Sequence, residues 1–181
     1  MPNSIELRKL GDNYREILED IFIESEFIDP VEEIIERIED KAHEPKSQPF
    51  AVYTNSEIVS FFTIESSNPN IEFQQKNVGA LWLESFFITG KFLGKGLAKD
   101  VVAEMIRSIS GFYPEITSLN LTVNFRNEIA QNLYKKCGFK DTEMIYSGGP
   151  AGSQYIYTKE LLVTDHEFLS PDMPACGSNA I

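Results

Sequence analysis

The sequence predicts an α/β domain, a layered fold with a mixed, mostly antiparallel sheet, one parallel βαβ crossover at its centre and helices packed on it. Three observations lead there. Apolar segments of strand length alternate with segments of helical period, and hairpin-like pairs stand toward both ends of the chain. In addition, the run LWLESFFITGKFLGKGLAKDVVAEMIRSI at residues 81–109 joins a strand, a glycine-punctuated loop and a helix without a break.

The elements follow in order. Residues 4–10 set Ile5, Leu7 and Leu10 against charged neighbours, a strand with one wet face, and Gly11-Asp12-Asn13 ends it. Tyr14, Ile17, Leu18 and Ile21 have helical spacing, with Asp12 or Asn13 available as N-cap. Phe22, Ile23, Phe27 and Ile28 form a connection studded with Glu24, Glu26 and Asp29. Pro30 then opens a second helix with Val31, Ile34, Ile35 and Ile38 on its apolar face. That helix carries Glu32, Glu33, Glu36, Glu39 and Asp40 against Arg37 and Lys41. Residues 43–48 read as a Pro-bearing linker. Residues 50–53 and 58–64 read as a hairpin around Thr54-Asn55-Ser56-Glu57. Residues 66–77, with Asn68-Pro69-Asn70, have no regular period and read as a loop.

The central unit comes next. Leu81-Trp82-Leu83 and Phe86-Phe87-Ile88 suit a strand covered on both faces, and Glu84 is the misfit, since an ionised carboxylate there loses several kcal/mol of hydration unless paired or wet. Leu97, Val101, Val102, Met105, Ile106 and Ile109 lie on one helix face, so the loop from Lys91 to Ala98 feeds a helix N-terminus. Gly94 and Gly96 allow positive φ and let backbone N–H groups face an anion, as a diphosphate would require. Taken alone, this Gly-x-Gly reads as a plain tight turn: it lacks the third glycine of a dinucleotide fingerprint and the ending of a P-loop. Gly111-Phe112-Tyr113-Pro114 closes the helix, and residues 118–123 form the next strand. A helix over residues 127–136 places Ile129, Leu133 and Cys137 toward the core and Asn127, Ala130 and Tyr134 on another face. Residues 139–146 and 154–162 read as a final antiparallel pair, and a tail of turn-forming residues follows.

With 181 residues the chain suits one buried core, and the expected organisation is a domain over residues 1–163 and a C-terminal tail over 164–181. No apolar run approaches the roughly 20 residues needed to cross a bilayer, and the opening residues lack the pattern of a signal peptide. A soluble, cytoplasmic protein without membrane contact is expected. Cys137 and Cys176 suggest no disulfide framework, and Cys137 reads as a small half-buried residue rather than a reactive thiol. His43 and His166 have no clustered partners, so no metal is expected. A net charge of −12 disfavours nucleic acid and favours a cationic substrate, although by itself it also reads as a device for solubility.

The order of parts carries further meaning. A buried strand with Glu84, then Lys91-x-x-Gly94-x-Gly96-x-Ala98, then a strand leading to Asn124-x-x-Asn127-x-x-Ala130-x-x-x-Tyr134-x-x-x-Gly138-Phe139, resembles the GNAT superfamily of acyl-CoA-dependent N-acyltransferases over residues 5–162. Lys91 departs from the family's usual Gln or Arg, keeping the charge and losing the planar fork. The resemblance implies a twisted sheet whose two central parallel strands splay, with acetyl-CoA as co-substrate between them. It implies that Phe86, Phe87 and Ile88 meet the pantetheine arm, and that the backbone of Leu93, Gly94, Lys95, Gly96, Leu97 and Ala98 meets the pyrophosphate. Lys91, Asn127 and Tyr134 complete the implied cofactor-binding set. It further implies Glu84 as general base, Tyr134 as the acid that protonates the departing sulfur, and an N–H near Phe86 as donor to the acyl carbonyl.

The implied activity is transfer of an acetyl group to a primary amine in a ternary complex. Residues 81–88 are similar to the matching strand of the diamine and polyamine acetyltransferases, and the acid-rich N-terminal helices suit a small polycation. A protein N-terminus, a lysine or an aminoglycoside remain as alternative acceptors, and a non-catalytic acyl-CoA-binding module as an alternative class. The oligomeric state stays open, a homodimer being one arrangement.

Overall fold

The computed structural model of the chain describes residues 5–40, 47–66, 79–149 and 151–161. The first residues of the expected linker, nearly all of the loop at 66–77, the domain boundary after residue 163 and the tail lie outside them, as do His43, His166 and Cys176.

The chain forms β1 (Ile5–Lys9), α1 (Tyr14–Ile21), α2 (Val31–Glu39), β2 (Gln48–Thr54), β3 (Glu57–Glu65) and β4 (Ala80–Ile88). A short 3₁₀ turn (Gly90–Phe92), α3 (Ala98–Phe112), β5 (Ser118–Asn124), α4 (Glu128–Lys136), β6 (Lys140–Tyr146) and β7 (Gln154–Glu160) complete it. The strands make one seven-stranded sheet in the order β1-β2-β3-β4-β5-β7-β6. Every pairing is antiparallel except β4 with β5, whose crossover is α3. Only a crossover of that length can return the chain to start a parallel neighbour, so the predicted architecture is the observed one.

Two large clusters hold the layers, beside a small one of Trp82 and Ile156. Phe50, Phe62, Leu83, Leu121 and Tyr157 of the sheet pack with Val101, Val102, Met105 and Ile109 of α3 and Tyr134 of α4. On the opposite face Ala51, Phe61 and Phe87 pack with Leu18 of α1 and Ile34, Ile35 and Ile38 of α2. The periodic apolar positions of α1, α2 and α3 are therefore core positions, as their spacing requires. The β2–β3 hairpin turns through Asn55 and Ser56, with φ of +49° and +68°. Both signs match the twist of a two-residue hairpin turn, although only Asn is a usual choice for it.

One expectation for α4 is overturned. Ile129 is 86% exposed rather than in the core. The Asn127 side chain caps this helix by accepting from the Ala130 N–H at 3.1 Å, and Ala130, Leu133, Tyr134 and Cys137 face the core. Each residue advances roughly 100° around a helix, which turns Ile129 well away from Ala130 and leaves it on the first turn facing solvent.

Candidate active site

The sheet opens where its parallel pair ends. β4 and β5 are in register from Ala80↔Ser118 to Leu83↔Leu121, and their pairing stops there. Each strand then continues with its other neighbour: β4 follows β3 to Ser60↔Ile88, and β5 follows β7 to Asn124↔Gln154. The result is a fork at the middle of the sheet, and Glu84 is the first residue beyond its last rung.

A bulge shapes β4 at the fork. Thr63 faces Glu84 and Phe61 faces Phe87, so Ser85 and Phe86 together oppose Phe62 alone. Ser85 takes φ +54°, a costly left-handed conformation for a residue with a Cβ. The extra residue redirects the side chains. Phe86 packs toward α4, its ring 6.2 Å from that of Tyr134, whereas Phe87 packs on the α1–α2 side, 5.7 Å from Phe22. Ser60 Oγ donates to Phe87 O at 2.8 Å, anchoring the strand on the β3 side.

Beyond β4 lies the glycine loop. Gly94 and Gly96 have φ of +71° and +76°, and space is open around both Cα atoms. The Lys95 N–H donates to Phe92 O and the Val101 N–H to Leu97 O. Among the described residues, no N–H of Gly96 to Asp100 finds a main-chain acceptor between those two bonds. These free donors sit at the positive end of a 15-residue helix. A loop of this form fits a phosphate-bearing co-substrate. Leu93, Gly94, Lys95 and Gly96 are exposed there, with Leu97 and Ala98 half-buried. Lys91 is exposed and its ammonium is held by Glu57 at the start of β3. Asn127 serves first as the α4 cap.

Glu84 is half-buried. Loss of hydration, reinforced by repulsion from Glu65 and Asp29 and opposed by Arg37, pushes its carboxyl up to about 8. Among the described residues it forms no ion pair, and Arg37, the cation that acts on it, is itself bonded to Asp29 and Ser85. Tyr134 is buried on the other side of the fork, between Phe86 and Phe139. Burial raises its hydroxyl well above the ordinary value, and the charge of Glu84 raises it further. The two groups thus sense each other across the fork, one a carboxyl with a raised pKa and the other a hydroxyl held protonated. Cys137 is half-buried beneath them, its thiol pushed up by burial, so it stays a thiol at neutral pH.

The acidic residues divide. Glu24, Glu26 and Glu32 line a concavity of about 560 Å³ with Phe22, Ser25, Ile28, Pro30 and Val31. Glu33, Glu36, Glu39 and Asp40 lie with Arg37 along a second one. Asp29 is bound by Arg37 and Glu26 by Arg126, which also stands over the Phe27 ring. The signal missed in the sequence is Arg37, counted there only as a stray cation within an acidic helix. Among the described residues no group of His, Cys, Asp and Glu is gathered to hold a metal ion, and no helix is long and apolar enough to cross a membrane.

A fork in a mixed sheet and a phosphate-type loop at a helix N-terminus define a site for a phosphate-bearing co-substrate. The family model for the acetyltransferase (GNAT) family matches residues 12–139, and the chain belongs to that family. An uncharacterized N-acetyltransferase of Bacillus subtilis, YbbJ, is 35% identical over 98 residues, which cover 54% of this chain and 61% of that relative. The spermine/spermidine N(1)-acetyltransferase of Bacillus subtilis is 25% identical over 146 residues, 80% of this chain and 94% of the relative. Among solved structures, AAC(6')-Ib in complex with acetyl-CoA and an aminoglycoside superposes with a TM-score of 0.71 at 17% identity, covering 93% of this chain and 100% of the other. A variant of the Vibrio cholerae spermidine N-acetyltransferase SpeG gives 0.65 at 15%, covering 86% and 93%. At these identities the structural likeness is one of fold.

Proposed function

We propose that the protein transfers an acetyl group from acetyl-CoA to a primary amine, and that the amine is a small linear polycation of the polyamine type. The observation that carries the transfer is the fork that opens at Glu84, with a loop of unpaired N–H groups following its strand. Bound acetyl-CoA supplies the activated acyl group. The free donors of residues 96–100 hold its pyrophosphate, Phe86 to Ile88 line the path of its arm, and an N–H near Phe86 polarises the carbonyl. Lys91 contributes charge once released from Glu57, and Asn127 flanks the arm from the α4 cap.

Glu84 takes a proton from the substrate ammonium, directly or through water, so that the neutral nitrogen attacks as the C–N bond forms and the C–S bond breaks. The second proton lost by that nitrogen passes to solvent, while Tyr134 delivers its own proton to the departing sulfur and recovers one from solvent. A base raised to about 8 is closer to an ammonium in affinity for the proton than an ordinary carboxylate is, which makes the first transfer less uphill.

The polyamine assignment rests on the acidic lining of Glu24, Glu26 and Glu32 and on the relative that acts on spermine and spermidine. An aminoglycoside is the second reading, favoured by the fold of AAC(6')-Ib. Acetyl-CoA consumption across spermine, spermidine, a monoamine, a lysine peptide and an aminoglycoside decides between them. Polyamines are expected to give the highest kcat/KM, and added salt to raise KM for spermine more than for the monoamine, because screening acts on the product of charges. Equal efficiency for polyamine and monoamine at low salt removes the polyamine assignment, and no turnover with any amine favours a binding module.

A further inference from the structure

Arg37 precedes Ser85 by 48 residues in the chain, yet its guanidinium meets the bulge that follows Glu84. Its Nη2 donates to Ser85 Oγ at 2.6 Å, its Nη1 to Asp29 Oδ2 at 2.5 Å, and its Nε lies 3.5 Å from Glu65 Oε1. Four segments meet there: α2, the α1–α2 connection, β3 and β4. The partners are largely removed from water, with side-chain exposures of 35% for Arg37, 20% for Asp29 and 14% for Glu65. Glu65 is held in turn by Ser47, whose Oγ donates to Oε1 at 3.0 Å. One cation therefore stands among Asp29, Glu65 and Glu84, and charges enclosed in this way act on one another far more strongly than exposed ones.

We propose that Arg37 is a positioning residue for Glu84, pinning the β4 bulge through Ser85 while offsetting the combined charge of Asp29 and Glu65 on the base. The inference rests on the reading of Glu84 as general base. Two features of the geometry support it. Ser85 occupies a left-handed conformation that its own side chain does not favour, and the charged fork of Arg37 is what that side chain bonds to. A planar guanidinium can bond Asp29 and Ser85 at once, which a lysine ammonium reaches less well. The groups facing Glu84 are then Asp29 from the connection, Arg37 from α2, Thr63 and Glu65 from β3, Ser85 beside it and Tyr134 from α4. Removing Arg37 leaves two carboxylates acting on Glu84 unopposed, and removing Glu65 leaves Arg37 less contested.

The test is the pH dependence of kcat/KM for spermidine with the full chain as wild type, Arg37→Gln, Arg37→Lys and Glu65→Gln. The amine's own titration is common to all four, so differences in the acidic limb report on the enzyme. Arg37→Gln is expected to move that limb upward by roughly 1 on the pH scale, the scale of one close opposite charge. Glu65→Gln is expected to move it downward. Arg37→Lys keeps the limb near its wild-type position while kcat falls, because charge is retained and the fork is lost. A merely structural Arg37 lowers stability and leaves the limb in place, so an unmoved limb in folded Arg37→Gln, or a shift of the same sign in Arg37→Gln and Glu65→Gln, overturns the proposal. If Arg37→Gln does not fold, Glu65→Gln carries the test alone, and absence of its downward shift overturns it. Glu84→Gln is run beside them: wild-type turnover in that variant removes the base itself, a failure of the functional reading distinct from a failure of the Arg37 inference.

Discussion

Replacing Glu84 with Gln is expected to stabilise the protein while removing its activity. The folded carboxyl is raised to about 8 from an ordinary value of 4.5, so between those limits the folded state keeps a proton that the unfolded chain has released. Stability then falls as pH rises through that window. At pH 7, roughly 2.5 above the ordinary value, the loss is about 3 kcal/mol at about 1.4 kcal/mol for each tenfold change. It reaches about 5 kcal/mol above pH 8, before discounting for the solvent that reaches a half-buried group. These are upper bounds, and they are comparable to a large part of the total stability of an ordinary domain. Glutamine carries no charge at any of these pH values and escapes the loss. Urea unfolding of wild type and Glu84→Gln at pH 5 and at pH 8 reads the difference directly. The variant should match wild type at pH 5 within about 1 kcal/mol and exceed it by a few kcal/mol at pH 8. A gap that does not widen with pH means that Glu84 is hydrated or paired in solution, and the argument for a raised base collapses with it.

Other expectations follow from the same geometry. Tyr134→Phe should lower kcat by about 10² to 10⁴ with little effect on acetyl-CoA affinity, because a proton donor to sulfur is felt in the transition state; wild-type turnover with chemistry rate-limiting removes it from the mechanism. Gly96→Val places a β-branched residue at φ +76° with open space around it, so calorimetry should show weaker acetyl-CoA binding in a variant that still folds, and unchanged affinity would make the loop a turn only. Neutralising Glu24 and Glu32, which line the concavity beside Phe22 and Pro30, should raise KM for spermine by more than neutralising Glu33 and Glu36 on the other side of α2. Equal effects would mean that the acids act only through net charge.

Much of this was legible in the sequence because the relevant signals are local. The alternation at β1, the helical periods of α1 to α3 and the two glycines before α3 each depend on residues close together in the chain, and each reappears in the structure at the expected place. The bulge did not announce itself. Serine carries no preference for positive φ, and nothing in Glu84-Ser85-Phe86 shows that two residues will oppose Phe62 until β3 is laid beside β4. The fork was expected from family resemblance alone, since where a parallel pair stops is a property of both strands and of their outer partners. Ile129 was misplaced because a four-residue repeat with Leu133 is satisfied on the shoulder of a helix as well as at its centre; the cap at Asn127 fixes where α4 begins and Tyr134 marks the buried face.

The bulge also explains how the proposed acid and base can stand on opposite sides of one strand. In a regular strand, side chains two apart share a face, so Glu84 and Phe86 would both point toward α2. The extra residue at Ser85 reverses that alternation, leaving Glu84 among the charges of α2 and β3 while sending Phe86 to touch Tyr134. Without it, Phe86 would enter the acidic side of the cleft and Tyr134 would lose its neighbour, although Glu84 itself had not moved. A Ser85 variant that restores regular pairing would therefore separate the proposed base from the proposed acid without altering either residue. That is why the single hydrogen bond between Arg37 and Ser85 matters: it is made to the irregular residue on which the two-sided arrangement depends.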